Sequence, residues 1–387
     1  MGNIMRYIHC LNKISSVGLS VLPKSYALTE NIEQADAILV RSAVMHDMIL
    51  PPSIKVVARA GAGVNNIPLD AYAEKGIIVF NTPGANANAV KELTLAGMLL
   101  ASRDIVGGIS WIHENKEDAE LPKTVEKIKA KFGGTEIKGK TIGIIGLGAI
   151  GMELARSCSA LGMKVIGTKR DLSSIDRLDL PENMVLVKTK EEMIPSCDFI
   201  SLNVPLTPET KHMINRETIQ MMKDQVILLN FARDQLVDDY ALSEALQSRK
   251  VRNYVTDFPN QQTAHMPYVI NIPHLGASTE EAEDNCAVMA ANQIVAFLEH
   301  GNIVNAVNYP DASLGAKHHH RLTILSNQSL SATSILSLIQ SYQVVQSVIR
   351  ANKKGYQSMI FDLSQAIDQK LFDHIKSLEG VTFVNYV

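Results

Sequence analysis

Between Ala37 and Phe80, short apolar runs (Ala37 to Val40, Lys55 to Val57, Ile77 to Phe80) alternate with a stretch of helical period, Leu69 to Lys75. Brief β-rich runs spaced by helices read as βαβ winding around a parallel sheet. A second series opens at Thr141, with a strand to Ile145, a glycine turn, a helix from Ile150 to Leu161 and a strand from Lys164 to Gly167. Further strands are predicted near Phe199 to Leu202, Val226 to Asn230 and Tyr254 to Thr256. The pattern predicts an α/β fold with two doubly wound parallel sheets. Between the two series, Val90 to about Ser110 reads as one long helix, and the run through Lys123, Lys127, Lys129 and Lys131 as a solvated connection before Gly133-Gly134. Ser278 followed by Glu281 makes a capping box, opening a helix that Gly301 closes.

After Asn308-Tyr309-Pro310 the period changes. The expected order is strand (Arg321 to Leu325), helix (Ala332 to Tyr342), strand (Val344 to Ala351), strand (Tyr356 to Leu363), helix (Gln365 to Ser377) and strand (Val381 to Val387). This βαββαβ succession is the ferredoxin-like pattern of a small appended module.

The turn Gly146-Leu147-Gly148-Ala149-Ile150-Gly151 lies between an apolar strand and a helix that buries Leu154, Ala155, Cys158 and Leu161. In that setting it is the Rossmann-like fingerprint for a dinucleotide: Gly146 allows the tight turn, Gly148 the close approach of a pyrophosphate, and Gly151 the packing of helix on strand. Helix N-terminal amides, those of Ala149 and Ile150 included, then face the phosphate charge. The fingerprint expects an acid about 20 residues on, for the ribose hydroxyl. Here stand Thr168, Lys169 and Arg170, with Asp171 next. Two cations suit a 2′-phosphate, so the cofactor is NAD or NADP, with Lys169 as a candidate contact.

Composition narrows the field. A chain of 387 residues exceeds one compact core, and a net charge of −3 gives no global reason to bind nucleic acid or an anionic membrane. Four scattered cysteines form neither a disulfide framework nor a zinc spacing, no metal site is indicated, and a cytoplasmic protein is expected.

The chain resembles the D-isomer-specific 2-hydroxyacid dehydrogenases over most of residues 37–310. The likeness rests on Arg59-Ala60-Gly61-Ala62-Gly63-Val64-Asn65-Asn66, Asn81-Thr82-Pro83-Gly84, the glycine turn, Val204-Pro205-Leu206-Thr207, Asn230-Phe231-Ala232-Arg233 and Pro273-His274-Leu275-Gly276-Ala277-Ser278-Thr279. It implies a substrate-binding domain at 1–95 completed by 280–310, a dinucleotide-binding domain at 96–279, and an ACT-like regulatory or oligomerisation domain at 317–387. It implies His274 as the acid/base and Arg233 as the cation for the substrate carboxylate, roles that suit an imidazole and a planar guanidinium. Arg59, Gly61 and Gly63 would hold the substrate, and Lys129, from a neighbouring subunit, its phosphate. Thr82, Val204, Pro205, Phe231, Ala232, Asp257 and Gly276 would line the cofactor, Asp257 contacting the nicotinamide carboxamide.

The implied activity is oxidation of 3-phospho-D-glycerate to 3-phosphohydroxypyruvate, the opening step of phosphorylated serine synthesis, by a homodimer or homotetramer acting on a small phosphorylated hydroxy acid. Alternatives on the same scaffold are a hydroxypyruvate or glyoxylate reductase and a dinucleotide-sensing corepressor. Two departures stand out. Gln262 occupies the place of the glutamate that relatives pair with the histidine, and an amide lacks the charge that favours imidazolium. In the C-terminal module, Ser326-Asn327-Gln328-Ser329-Leu330-Ser331 replaces the His-x-Asn-x-Pro-Gly-like turn of serine-sensing members. Lys91-Glu92 and His318-His319-His320 read as a solvated helix end and a linker.

Overall fold

The computed structural model describes residues 5–175 and 180–387, which divide into two compact units. The first comprises the chain up to Asn86 together with Glu280–Val387, the second Ala87–Thr279.

In the first unit β1 (Arg6–Cys10), β2 (Tyr26–Leu28), β3 (Ala37–Val40), β4 (Val56–Arg59) and β5 (Ile78–Phe80) form a parallel sheet of order β2-β1-β3-β4-β5. β3 is buried along its whole length, as its continuous apolar run requires when both faces are covered. The helix Glu280–His300 packs Ala287, Ala290, Ile294 and Phe297 into this core. Thr279 rather than Ser278 immediately precedes that helix, and Gly301 follows it at φ +62°, where its backbone lies close to Thr323.

The second unit holds seven strands: β6 (Thr141–Ile145), β7 (Lys164–Thr168), β8 (Met184–Val187), β9 (Phe199–Leu202), β10 (Val226–Asn230), β11 (Val251–Thr256) and β12 (Val269–Asn271). Their order, β12-β11-β10-β9-β6-β7-β8, is all parallel and reverses between β6 and β9, the place where doubly wound sheets open a ligand crevice.

Two expectations change here. The stretch predicted as one helix from Val90 is a pair, Ala87–Ser102 and Ile105–Glu114, bent by 69°. The first stops because the Ser102 carbonyl accepts hydrogen bonds from Thr135 N (2.9 Å) and Arg252 Nη2 (3.3 Å), and the second restarts because Asp104 Oδ1 caps Gly107 N at 2.9 Å. The Lys-rich connection is itself helical, Leu121–Ile128 with a turn at Lys129–Phe132; Pro122 sits in its first turn, and Glu120–Lys123 and Glu126–Lys129 pair along it. No single described helix is long and apolar enough to cross a membrane.

The C-terminal module is built from β13 (His320–Asn327), the helix Ala332–Ile339, β14 (Val344–Lys353), β15 (Tyr356–Leu363), the helix Gln369–Ser377 and β16 (Val381–Tyr386). Its sheet is antiparallel in the order β14-β15-β13-β16. One face, carrying Leu322, Ile324, Met359 and Phe361, is covered by the two helices. The other packs on the rest of the first unit: Tyr309 donates to the Ala73 carbonyl and meets Thr382, while Phe383 stacks on Phe297 at 5.5 Å. The module therefore clusters within the first unit rather than standing as a third body, and the chain parts at Asn86/Ala87 rather than after residue 95, which keeps the helix Ala87–Ser102 whole.

Candidate active site

The glycine turn follows β6 at the strand-order reversal. Gly146 has φ +99°, and a Cβ there would stand 2.4 Å from Asn203 O and 2.7 Å from Val204 Cγ1, so only glycine permits the loop after β9 to close over it. A Cβ at Gly151 would meet Gly146 O at 2.1 Å, which is the close helix-to-strand contact. A Cβ at Gly148 would meet nothing within 4 Å. Gly148 precedes the helix Ala149–Ala160, no side chain caps that helix, and Ala149 is exposed, so its first amides face open space. This cradle fits a dinucleotide pyrophosphate.

At the end of β7, Thr168 is buried, Lys169 half-buried and Arg170 exposed. Asp171 turns into its own loop: its Oδ1 accepts from Ser173 Oγ (2.6 Å) and Ser173 N (2.9 Å), and the Ser173 hydroxyl and amide hold its carboxyl below the usual range.

A second cluster of this unit gathers around Phe258. The His274 ring lies 4.4 Å from the Phe258 ring, and the Arg233 guanidinium sits over that ring at 5.3 Å. Arg233 is half-buried and donates from Nη1 to Ala232 O at 2.6 Å; His274 is exposed. Behind them Asp257 is 1% exposed: Gly276 N donates to its Oδ2 at 3.1 Å, while its Oδ1 is buried without a partner. Burial pushes the Asp257 carboxyl up, against the hydrogen bond from Gly276. An orphaned carboxylate oxygen at this place fits a ligand amide such as that of a nicotinamide.

The structure adds two residues to the expected set. Asn230 is fully buried and staples the turn that presents Arg233: its Oδ1 accepts from Ala232 N (3.2 Å) and Arg233 N (3.3 Å), and its Nδ2 donates to Arg233 O (2.8 Å) and Tyr254 Oη (2.9 Å). An Asn closing an otherwise apolar strand, a residue type whose side chain bonds the backbone of the turn after it, was its signal. Phe258 had none, since a ring shared by Arg233 and His274 exists only once β10, β11 and the loop after β12 converge. Gln262 is exposed, and its backbone N–H donates to Asn260 Oδ1 at 2.9 Å; the neighbour of the His274 ring is Phe258. Phe231 turns its ring into the core against Gly97 and Val255, leaving its backbone for a ligand. Pro205 O accepts from Thr210 Oγ1 at 2.7 Å, fixing the loop that carries Val204. Lys129 stays outside these clusters, paired with Glu126 at the end of Leu121–Ile128.

Within the first unit, the loops at the carboxyl ends of β4 and β5 hold the remaining set. The Arg59 Nη1 lies 2.5 Å from where a Cβ of Gly61 would be, so the guanidinium folds over that glycine. Thr82 is buried, its N–H donates to Gly61 O at 3.2 Å, and Asn81 Nδ2 donates to Ala62 O at 2.6 Å. The Gly61–Gly63 loop is thereby tied to the end of β5.

A parallel sheet with this strand order and a glycine cradle at its reversal defines a dinucleotide-binding protein. Residues 95–276 match the family described as D-isomer specific 2-hydroxyacid dehydrogenase, NAD binding domain, and this part of the chain belongs to that family. It is 38% identical over 322 residues to the D-3-phosphoglycerate dehydrogenase of Methanocaldococcus jannaschii, covering 80% of this chain and 59% of the relative. To the D-3-phosphoglycerate dehydrogenase of Rattus norvegicus it is 34% identical over 316 residues, 77% of this chain and 56% of the relative. The chain thus spans little more than half the length of these relatives. Among solved structures, the NAD+-bound 3-phosphoglycerate dehydrogenase of Entamoeba histolytica aligns with a TM-score of 0.60 at 26% identity, over 78% of this chain and 98% of that one.

Proposed function

We propose that the protein oxidises 3-phospho-D-glycerate to 3-phosphohydroxypyruvate by hydride transfer to NAD or NADP. The observation that carries the reading is the shared placement of Arg233 and His274 on Phe258, which offers a fixed cation and a proton acceptor side by side. Arg233 binds the substrate carboxylate and polarises the carbonyl that forms; His274 takes the hydroxyl proton. Arg59 and the Gly61–Gly63 amides take part in binding the acid, and Asp257 Oδ1 accepts from the carboxamide. When bound, the nicotinamide supplies the hydride acceptor. The two relatives at 38% and 34% identity favour this substrate over the reductase and corepressor readings. A steady-state comparison of 3-phosphoglycerate with glycerate is expected to give the higher kcat/KM to the phosphorylated acid; equal values overturn the assignment.

The cofactor end of the site sets a second expectation. Asp171 is committed to Ser173, so Lys169 and Arg170 remain to meet the adenosine ribose, and NADP is accepted alongside NAD. Lys169→Asp is expected to move the NADP/NAD ratio of kcat/KM about tenfold toward NAD, equivalent to about 1.4 kcal/mol. An unchanged ratio places Lys169 outside the cofactor site.

The exposed apolar face of Ile105–Glu114, with Ile105, Val106, Ile109 and Ile112, supports a homodimer or homotetramer in which Lys129 serves a neighbouring subunit. Four free cysteines support a cytoplasmic setting.

A further inference from the structure

The first unit contains a cavity of about 580 Å³ that the proposed reaction does not use. It lies between the helix Glu280–His300, the loop Gly84-Ala85 and the segment from Asn302 to Asn305. Among the described residues no ionisable side chain lines it. Its polar side chains there are carboxamides, among them Asn285, Asn292, Gln293 and Asn305, and Val288 and Met289 contribute an apolar wall. Gln293 is the telling residue. It is 7% exposed, its Nε2 donates to Asn81 O at 2.9 Å, and its Oε1 is buried with no partner. A buried acceptor left without a donor is costly and marks a place for a ligand group.

The lining restricts the ligand. The lining, with Asn285, Asn292 and Val304 exposed, offers a charged group no opposite charge, whereas its carboxamides pair directly with neutral donors and acceptors, so a neutral ligand is favoured. A carboxamide donates and accepts side by side, which matches a molecule presenting the same pair of groups. Met289 and Val288 suit a flat apolar face, the thioether adapting to its outline.

The walls also connect to two other parts of the unit. Asn81, which accepts from Gln293, itself donates to Ala62 O at 2.6 Å in the Gly61–Gly63 loop. Asn302 accepts from Arg321 Nη1 at 3.2 Å, at the root of the C-terminal module. We infer that this cavity is a regulatory site for an uncharged ligand with adjacent donor and acceptor groups beside a flat apolar face, the chemistry of a nucleobase or nucleoside, and that it acts on the Gly61–Gly63 loop through Gln293 and Asn81. A ligand donor that draws the Gln293 amide toward itself competes with the bond to Asn81 O and loosens the loop. The coupling half of this inference rests on the proposal that the loop binds substrate; the binding half does not.

The full chain carrying [methyl-13C]methionine, saturated with NAD to occupy the dinucleotide cradle, is titrated with uridine and with inosine, the Met289 signal being identified by Met289→Leu. The expected result is a saturable Met289 shift with at least one neutral probe, no shift with uridine monophosphate or L-serine, and loss of the shift in Val288→Trp, which fills the cavity, and in Asn292→Leu, which keeps its volume. The same probe is expected to raise the KM for 3-phosphoglycerate about fivefold or more, and Gln293→Ala to abolish that rise. Absence of any saturable shift with the neutral probes, or an equal response to uridine monophosphate or L-serine, overturns the site. A shift with unchanged KM overturns the coupling. A protein inactive on 3-phosphoglycerate without any nucleoside overturns the proposed function instead, and the Met289 titration still decides the site.

Discussion

His274→Phe is expected to lower kcat for 3-phosphoglycerate oxidation by about 10²–10⁴-fold, the range in which a positioned proton acceptor contributes. The imidazole stands 4.4 Å from Phe258 and is exposed, so a phenyl ring can occupy the same stack without unfolding the loop. What is lost is the group proposed to receive the hydroxyl proton. The substitution leaves the glycine cradle intact, and NAD binding followed by fluorescence titration should stay within a few fold of the wild type. Arg233→Lys should act differently. It keeps the charge but removes the planar fork, so KM rises together with a fall in kcat. If His274→Phe retains near-normal turnover, the proton acceptor lies elsewhere and the assignment of the Phe258 cluster fails.

The largest stability effect is expected from Arg321→Ala. Arg321 and Asp362 are both fully buried, with Nε donating to Oδ1 at 2.6 Å and Nη2 to Oδ2 at 2.9 Å. Arg321 Nη1 also donates to the carbonyls of His300 and Gly315, each at 2.9 Å, so one guanidinium ties β13 to the end of the long helix and to the linker. Removing it strands a buried carboxylate, and the loss should be about 3–5 kcal/mol, read as reduced hydrogen-exchange protection of β13 and β15. Arg321→Met combined with Asp362→Leu should recover most of it, because no charge is then left unpaired. The pH dependence follows from the carboxyl. Burial alone would raise it, but hydrogen bonds from Arg321 and Gln346 hold it below its ordinary value. The wild-type contribution is therefore present above the ordinary carboxylate value of about 3.9 and is lost as the pH falls through the lower folded value. In Arg321→Ala only the hydrogen bond from Gln346 still opposes the burial, the protonated form gains, and the variant should be less destabilised at pH 4.5 than at pH 7. Equal protection in variant and wild type at pH 7 would show that the pair contributes nothing net.

Much of the architecture was legible in the residue pattern because it is local. The apolar runs with short spacing wind into parallel sheets, the turn from Gly146 to Gly151 needs glycines at the positions where a Cβ would strike backbone, and the last six elements follow from period alone. The first strand, Arg6–Cys10, escaped this reading: Arg and His interrupt its apolar pattern, yet it pairs with both β2 and β3. Contacts between distant segments decided the rest. The bend after Ser102 exists because Thr135 and Arg252 reach its carbonyl, and Phe258 joins Arg233 to His274 only where two strand ends meet the loop after β12. The docking of the C-terminal module is the clearest case. A charged residue at position 321 reads as surface until the surrounding carbonyls and Asp362 are known, since a guanidinium is tolerated in a core only when its donors are satisfied there, and those partners come from segments up to 41 residues away.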